Sequence, residues 1–370
     1  MRISTSTLFS EGVTAMQQMQ NNLARTNLQI ATGQKMLSPA DDPAAAARAI
    51  ELNQSDASNT QLASNRNIAA NNLSLTEGVL SGVTSLLQEL KSLSVEAGGV
   101  MTNATSMKGI ATTLRGRMEE LLGLANSTDG VGNYLFSGGQ GKVKPFATTA
   151  AGTVYQGDDV QRLVQVAPSR QMAATDSGAD IFMRIRNGNG TFQTSAGVGN
   201  TGTGGISQGQ VLTSPFNGNS YRVTFTSATT YDVLNVTSGT PVSTGNAYVS
   251  GQAITFDGIQ VEVSGAPAPG DTFDIQPSVN QSVFATLDKF IAAADAPPVA
   301  GDALSTAKFQ QGLREVMGAL DQALNNVLAT RATIGGRLRE LDSLQATGEE
   351  LGLQYKNSLS KIQDTDYIQA

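Results

Sequence analysis

"SPADDPAAAARA", residues 38–49, sets two aspartates between two prolines and then runs into alanines. Such a pair can belong to a metal site, form half of an acid/base pair, or begin a helix. Pro39 biases Ser38 away from helix and ends the segment before it. Asp42 directly before Pro43 fits an N-cap followed by proline at the first helical position, where the missing N–H costs nothing. Ala44 to Ala47 carry strong helix propensity, and Asp41 adds charge at the positive end of the helix dipole. No further carboxylates adjoin the pair, so the stretch predicts a capped helix start at Asp42 and Pro43.

Composition points away from chemistry as well. The 370 residues include no His, Cys or Trp. Without His and Cys, the usual general base, the Ser-His-Asp and Cys-His nucleophilic sites and typical zinc sites are all excluded. Carboxylate-only chemistry stays open, either as a glycosidase-like pair or as an oxygen-ligated calcium. A net charge of −7 disfavours nucleic acid and anionic membrane surfaces as partners. No window holds the roughly 20 apolar residues of a membrane span. The start, "MRISTSTLFSEGVTAMQQ", lacks the apolar core of a secretory signal. On composition alone the chain reads as cytoplasmic, enzyme-free and without cofactors.

The ends and the middle differ in style. Residues 1 to about 135 and about 281 to 370 are rich in Ala, Leu, Gln, Asn and Glu, whereas about 137 to 280 are rich in Gly, Thr, Ser and Val. The first style favours helix and the second strands and turns, so the fold class is α+β with a β region inserted between helical ends. At the start, Phe9, Met16, Leu23 and Ile30 recur every seven residues, with Val13 at the alternate position. Near the end, Ile334, Leu341, Gly348, Tyr355 and Ile362 repeat at seven, with Leu344 and Leu351 between them. This spacing predicts coiled-coil seams that pair with each other and with neighbouring subunits. Gln20, Asn27 and Gly348 read as interruptions that fix register.

Two inner stripes predict an antiparallel bundle: Val79, Val83, Leu86, Leu90 and Leu93, resumed by Leu114, Met118, Leu121 and Ala125, and Phe309, Leu313, Val316, Leu320 and Val327. Gly98 and Gly99 predict a helix break between the first two. In the β region "AITFDGIQVEV" predicts a hairpin turning at Asp257-Gly258, and Tyr221, Val223 and Phe225 alternate as a strand. Residues 187–209 are glycine-rich and read as a flexible linker or long loop.

Taken together, "MRISTSTLF", "ATGQKMLSPADDPAAAARA", "GNYLFSGGQ", "RATIGGRLRELDSL" and "SLSKIQDTDY" resemble the flagellin superfamily, in order along the chain, and within it the hook–filament junction branch. Family members continue past "DTDY" with more heptad helix, whereas this sequence ends at Ala370. The resemblance implies an elongated rod of nested domains. A terminal coiled coil, 1–44 plus 335–370, would line an inner tube. A helical bundle with a β-hairpin, 45–186 plus 281–334, would lie outside it, and an inserted β domain, 187–280, would face solvent. It further implies export through the flagellar type III apparatus with a chaperone, which reverses the cytoplasmic reading and gives an extracellular, flagellar location. Copies of the chain would form a ring between hook-associated protein 1 and flagellin. Two alternatives remain. One is a flagellin proper; the other is a secreted carbohydrate-binding or hydrolytic protein, which requires Asp158, Asp159, Asp257 and Asp274 to converge.

Overall fold

A computed structural model describes residues 5–101, 103–213 and 215–365. The first four residues and the Asp366-Tyr367 end of the last motif therefore lie outside the described residues. Helix makes up about 52% of the chain and strand about 21%, as the α+β class requires. The chain divides into two compact units. One comprises residues 1–69, 164–172 and 339–370, and the other residues 70–163 and 173–338.

Long helices form the ends: α1 (Thr5–Thr32), α2 (Pro43–Val100), α3 (Ala104–Ala125), α4 (Val283–Asp295) and α5 (Ala303–Gln363). The predicted break at Gly98 and Gly99 does not occur, because α2 runs on to Val100. Gly98 instead lies close to a neighbouring side chain; a Cβ there would stand 3.7 Å from Leu313 Cδ1. The break falls one turn later, where Asn103 caps α3 by accepting from Thr105 and Ser106 N–H, each at 3.1 Å.

In the second unit Val83, Leu86, Leu90, Leu114, Leu121, Phe309, Leu313, Val316, Leu320 and Val327 are buried as the stripes predict. Leu73, Leu80 and Leu87 are fully buried too. They continue a seven-residue register that runs through Asn59 and Arg66, a register the sequence reading passed over. Phe136, Phe146, Phe182 and Phe284 stack edge-on or tilted with centroids 5.3–6.2 Å apart. Around them lie β1 (Phe146–Thr149) paired with β2 (Gly152–Tyr155), and a single π-helical turn, Ala179–Met183. β3 (Leu163–Ala167) pairs with β4 (Arg170–Ala173) as a hairpin.

The β region opens at β5 (Ile185–Arg186) and closes at β15 (Asn280–Gln281), which pair antiparallel with each other. Between them stand β6 (Phe192–Ala196), β7 (Gly205–Ile206), β8 (Gln210–Val211), β9 (Tyr221–Ser227), β10 (Thr230–Asn235), β11 (Thr240–Ala247), β12 (Ala253–Phe256), β13 (Ile259–Ser264) and β14 (Thr272–Pro277). One sheet runs β11-β10-β9-β14-β6 and a second β12-β13-β7, with β8 also on β13. Alternate side chains of both sheets, among them Tyr221, Val223, Phe225, Ile254, Val261 and Phe273, share one core. The hairpin turns where Asp257 and Gly258 both take positive φ, 43° and 78°, as a type I′ turn demands.

Residues 187–209 are ordered structure and not a flexible linker. Phe192 is fully buried on an edge strand, and Ile206 pairs with Val263. The buried carboxylate of Asp271 pins the intervening glycines by accepting from Thr201 N–H at 2.8 Å and Gly202 N–H at 3.0 Å. Glycine here lets backbone approach that carboxylate: a Cβ on Gly202 would meet Asp271 Oδ2 at 2.6 Å.

Candidate assembly surface

The surface begins where α1 ends. Gly33 takes φ +69°, turning the chain out of the helix. There the backbone pairs with the far end of α5: Lys35 N–H donates to Gln363 O at 2.7 Å, and Thr365 N–H to Gly33 O at 2.9 Å. Gln29 Nε2 donates to Lys35 O at 2.6 Å, and Thr365 Oγ1 to Gln29 O at 3.3 Å. Asp41 does not serve the α2 start as expected. Its Oδ2 accepts from Leu37 and Ser38 N–H, and its Oδ1 pairs with Arg25 at 2.9 Å. Asp42 Oδ1 accepts from Ala45 N–H at 3.0 Å while Pro43 opens the helix. The two aspartates therefore divide the turn, one holding α1 and the other starting α2.

Along α1 the heptad positions carry their apolar side chains into solvent. Phe9 is 76% exposed, Met16 63% and Leu23 68%; Ile30 is exposed and Val13 half-buried. Leu8, beside Phe9, and Met19, one turn from Met16 and Leu23, are exposed as well. Solitary exposed apolar residues are ordinary, but this 28-residue helix carries a row of them.

The late seam divides. Leu341 is buried at 2% exposure. Leu344 and Tyr355 are half-buried and Leu351 is exposed; together they line a groove of about 440 Å³ with Leu62, Ala167 and Pro168. Ile362, half-buried, borders a second hollow with Arg48 and Lys361. Beneath the groove lies Arg66, 4% exposed. Its Nε donates to Gln345 Oε1 at 2.9 Å and its Nη1 to Val166 O at 3.1 Å. Burial holds this guanidinium below its usual pKa, with the Glu349 charge acting the other way.

Gly348 has a different role from the one its heptad position suggests. A Cβ there would stand 2.3 Å from Arg66 Nη2 and 3.2 Å from Asn59 Oδ1. Its carbonyl accepts from Asn59 Nδ2 at 2.7 Å. Gly348 is thus a notch in α5 for the α2 side chains. The sequence did carry a signal for this, because Asn59 and Arg66 precede Leu73, Leu80 and Leu87 in one seven-residue register.

The four aspartates of the hydrolytic alternative are each engaged separately. Asp158 accepts from Gly139 N–H at 2.6 Å, and Asp159 pairs with Arg184. Asp257 accepts from Tyr221 Oη at 2.8 Å, and Asp274 pairs with Arg222 at 2.6 Å. Among the described residues no three carboxylates converge on a common point, and no helix is long and apolar enough to cross a membrane.

Comparison with known proteins matches residues 3–140 to the bacterial flagellin N-terminal helical region, and residues 196–277 to the D2-like domain of flagellar hook-associated protein 1. FlgL of Xanthomonas campestris superposes with a TM-score of 0.76 at 33% identity, covering 84% of this chain and 99% of that one. The flagellar junction protein FlgL of Legionella pneumophila gives 0.75 at 30% identity, covering 86% of this chain and 100% of that one. Flagellar hook-associated protein 3 of Salmonella typhimurium is 28% identical over 99% of this chain and 89% of its own length. These relatives are structural flagellar proteins, and the agreement supports a structural role at the hook–filament junction. The chain belongs to the flagellar hook-associated protein 3 (FlgL) family.

Proposed function

We propose that the chain is a structural subunit of the flagellar hook–filament junction, assembling through the stripe on α1 and the free seam of α5. The observation that carries this reading is the exposed row Phe9, Met16 and Leu23, an apolar face that the described residues leave uncovered. Copies would form a ring with hook-associated protein 1 on one side and flagellin on the other. The subunit would reach that site by flagellar type III export, held by a chaperone, and stand outside the cell without enzymatic activity. Three parts serve this role: terminal seams at 1–44 plus 335–370, a bundle at 45–186 plus 281–334, and an outer β domain at 187–280. Covering the seams only in the assembly keeps free subunits apart, because ordering a partnerless surface gains nothing.

The test is complementation of a strain lacking its own junction protein. Wild-type chain should restore filaments, while the null strain keeps hooks and sheds flagellin into the medium. Leu23→Asp should fail to restore them with its melting temperature unchanged. Full motility from Leu23→Asp would remove the reading. Long filaments grown from the purified chain alone would favour a filament subunit in its place.

A further inference from the structure

We propose that Asn217 is a site of spontaneous deamidation, a modification that the fold confines to one of the chain's three Asn-Gly pairs. The pairs are Asn187-Gly188, Asn189-Gly190 and Asn217-Gly218. All three share the dipeptide in which this chemistry runs most readily, because glycine places no Cβ beside its own backbone nitrogen. The surroundings of each pair separate them.

The first two pairs are held. Asn187 is 8% exposed. Its Nδ2 donates to Gln193 Oε1, and its Oδ1 accepts from Val279 N–H at 3.0 Å and Ser278 Oγ at 3.2 Å. Gly188 is crowded as well, since a Cβ there would stand 2.1 Å from Phe192 O. Asn189 Oδ1 accepts from Thr191 and Phe192 N–H at 3.0 and 2.9 Å, and its Nδ2 donates to Gly209 O at 3.2 Å. The nitrogen that would attack is occupied too, because Gly190 N–H donates to Asn187 O at 3.1 Å.

The third pair is open. Asn217 and Gly218 are both exposed, and Gly218 N–H has no hydrogen-bond partner among the described residues. Asn219 N–H donates to Asn217 Oδ1 at 3.0 Å. There it polarises the carbonyl and stabilises the negative charge that attack places on that oxygen. In the step, Gly218 N bonds to Asn217 Cγ and the Cγ–Nδ2 bond breaks. Ammonia leaves with the proton that the Gly218 nitrogen gives up, and a succinimide ring remains. Water then opens the ring at either carbonyl, leaving aspartate or isoaspartate at position 217.

The product disturbs what lies beneath it. Asn217 Nδ2 donates to Tyr221 Oη, which in turn donates to Asp257 Oδ2 at 2.8 Å from a fully buried ring. After deamidation two carboxylates face one phenolic proton, and like charges at one site repel. Asp257 forms the β12–β13 corner with Gly258, whose carbonyl accepts from Leu212 N–H at 2.7 Å and Thr213 N–H at 3.0 Å. Modification at Asn217 therefore loosens those two amides.

The test ages the full-length chain in warm, mildly alkaline buffer. Trypsin then releases residues 187–222 as one peptide with all three pairs, since no Lys or Arg lies between Arg186 and Arg222. Fragmentation of that peptide in a mass spectrometer assigns the mass gain residue by residue. The expected result is roughly tenfold more product at Asn217 than at Asn187 or Asn189, a difference that disappears when the chain is aged in denaturing urea. Comparable product at all three sites of the native chain, or a preference that persists in urea, overturns the proposal. Hydrogen exchange at Leu212 and Thr213 should quicken with age in the wild-type chain and not in Asn217→Gln, whose longer side chain closes the ring far more slowly. The same quickening in Asn217→Gln would overturn the link through Tyr221.

Discussion

Helices α1 and α4 are both amphipathic, and the fold treats them in opposite ways. On α4, Ser282 caps the first turn and Val283, Phe284, Leu287, Phe290 and Ala294 are buried. On α1, Phe9, Met16, Met19 and Leu23 are exposed along the same kind of face. Helical periodicity therefore states that a face seeks apolar cover and not where the cover comes from. For α4 it comes from α3, β2 and the π turn of the same chain; for α1 none of the described residues supplies it. On the proposed function, the difference separates what holds the monomer together from what it would offer for assembly.

The sharpest way to break this comparison is to truncate one residue on each helix. Phe284 is fully buried against Phe146 and Phe182, so Phe284→Ala should cost about 3–5 kcal/mol. Met19→Ala, removing a larger-than-average exposed side chain from α1, should shift stability by less than about 0.5 kcal/mol. Denaturant unfolding of both variants decides it. Equal losses would mean that α1 is part of the monomer core after all.

A second, smaller effect concerns the β region. Its two ends are already joined, with Asn187 N–H donating to Val279 O at 3.0 Å beside the β5–β15 pair. Excising residues between these points with a short Gly/Ser bridge should leave the bundle helical, in keeping with the proposed 187–280 domain. The bundle loses the Ile206 N–H to Gln311 bond at 3.1 Å and the Gln208 to Arg314 O bond at 3.2 Å. At the usual 0.5–1.5 kcal/mol apiece the cost is roughly 1–3 kcal/mol. Circular dichroism showing collapsed helix would mean that the β region and bundle fold as one.

How much of this was legible in the sequence follows from the same contrast. Local devices were readable, because cap, proline and turn chemistry act within a few residues: Asp42-Pro43 and Asp257-Gly258 stand where their residue types demand. The inner stripes were readable as buried faces, with Val83, Leu86, Leu90 and Leu320 all buried. Features made by distant partners were not. Residues 187–209 look like a linker because their glycines are the residues that let Asp271 and α5 come close, and both partners lie far along the chain. Gly348 looked like a gap in a heptad because nothing adjacent reveals Arg66 beneath it. Asp41 looked like a second helix charge because its ion-pair partner Arg25 lies on the previous helix.

Gly348→Ala sharpens the point about distant partners. Alanine favours helix by about 1 kcal/mol over glycine, so a reading from α5 alone predicts stabilisation. The new Cβ would stand 2.3 Å from Arg66 Nη2, and that side chain is buried with two of its donors engaged. Overpacking of this kind costs typically 1–3 kcal/mol. The net should be a loss of roughly 1 kcal/mol, and a gain in melting temperature would show that Arg66 can move aside without penalty.

The smallest effect should belong to the stretch that opens α2. Asp42 Oδ1 accepts one backbone N–H, that of Ala45 at 3.0 Å, from an exposed position. Replacing it with alanine leaves that donor to water, and the usual cost of losing such a cap is about 0.5–2 kcal/mol. Exposure places the expected value at the lower end. Asp42→Asn retains an acceptor oxygen and should recover most of the loss, whereas Asp41→Ala should leave α2 unchanged and instead loosen the Arg25 end of α1. Hydrogen exchange separates the two: faster exchange at Ala45 and Ala46 for Asp42→Ala, and at Leu37 and Ser38 for Asp41→Ala. If both variants loosen the same amides, the two aspartates act as one unit and the division of the turn between α1 and α2 fails.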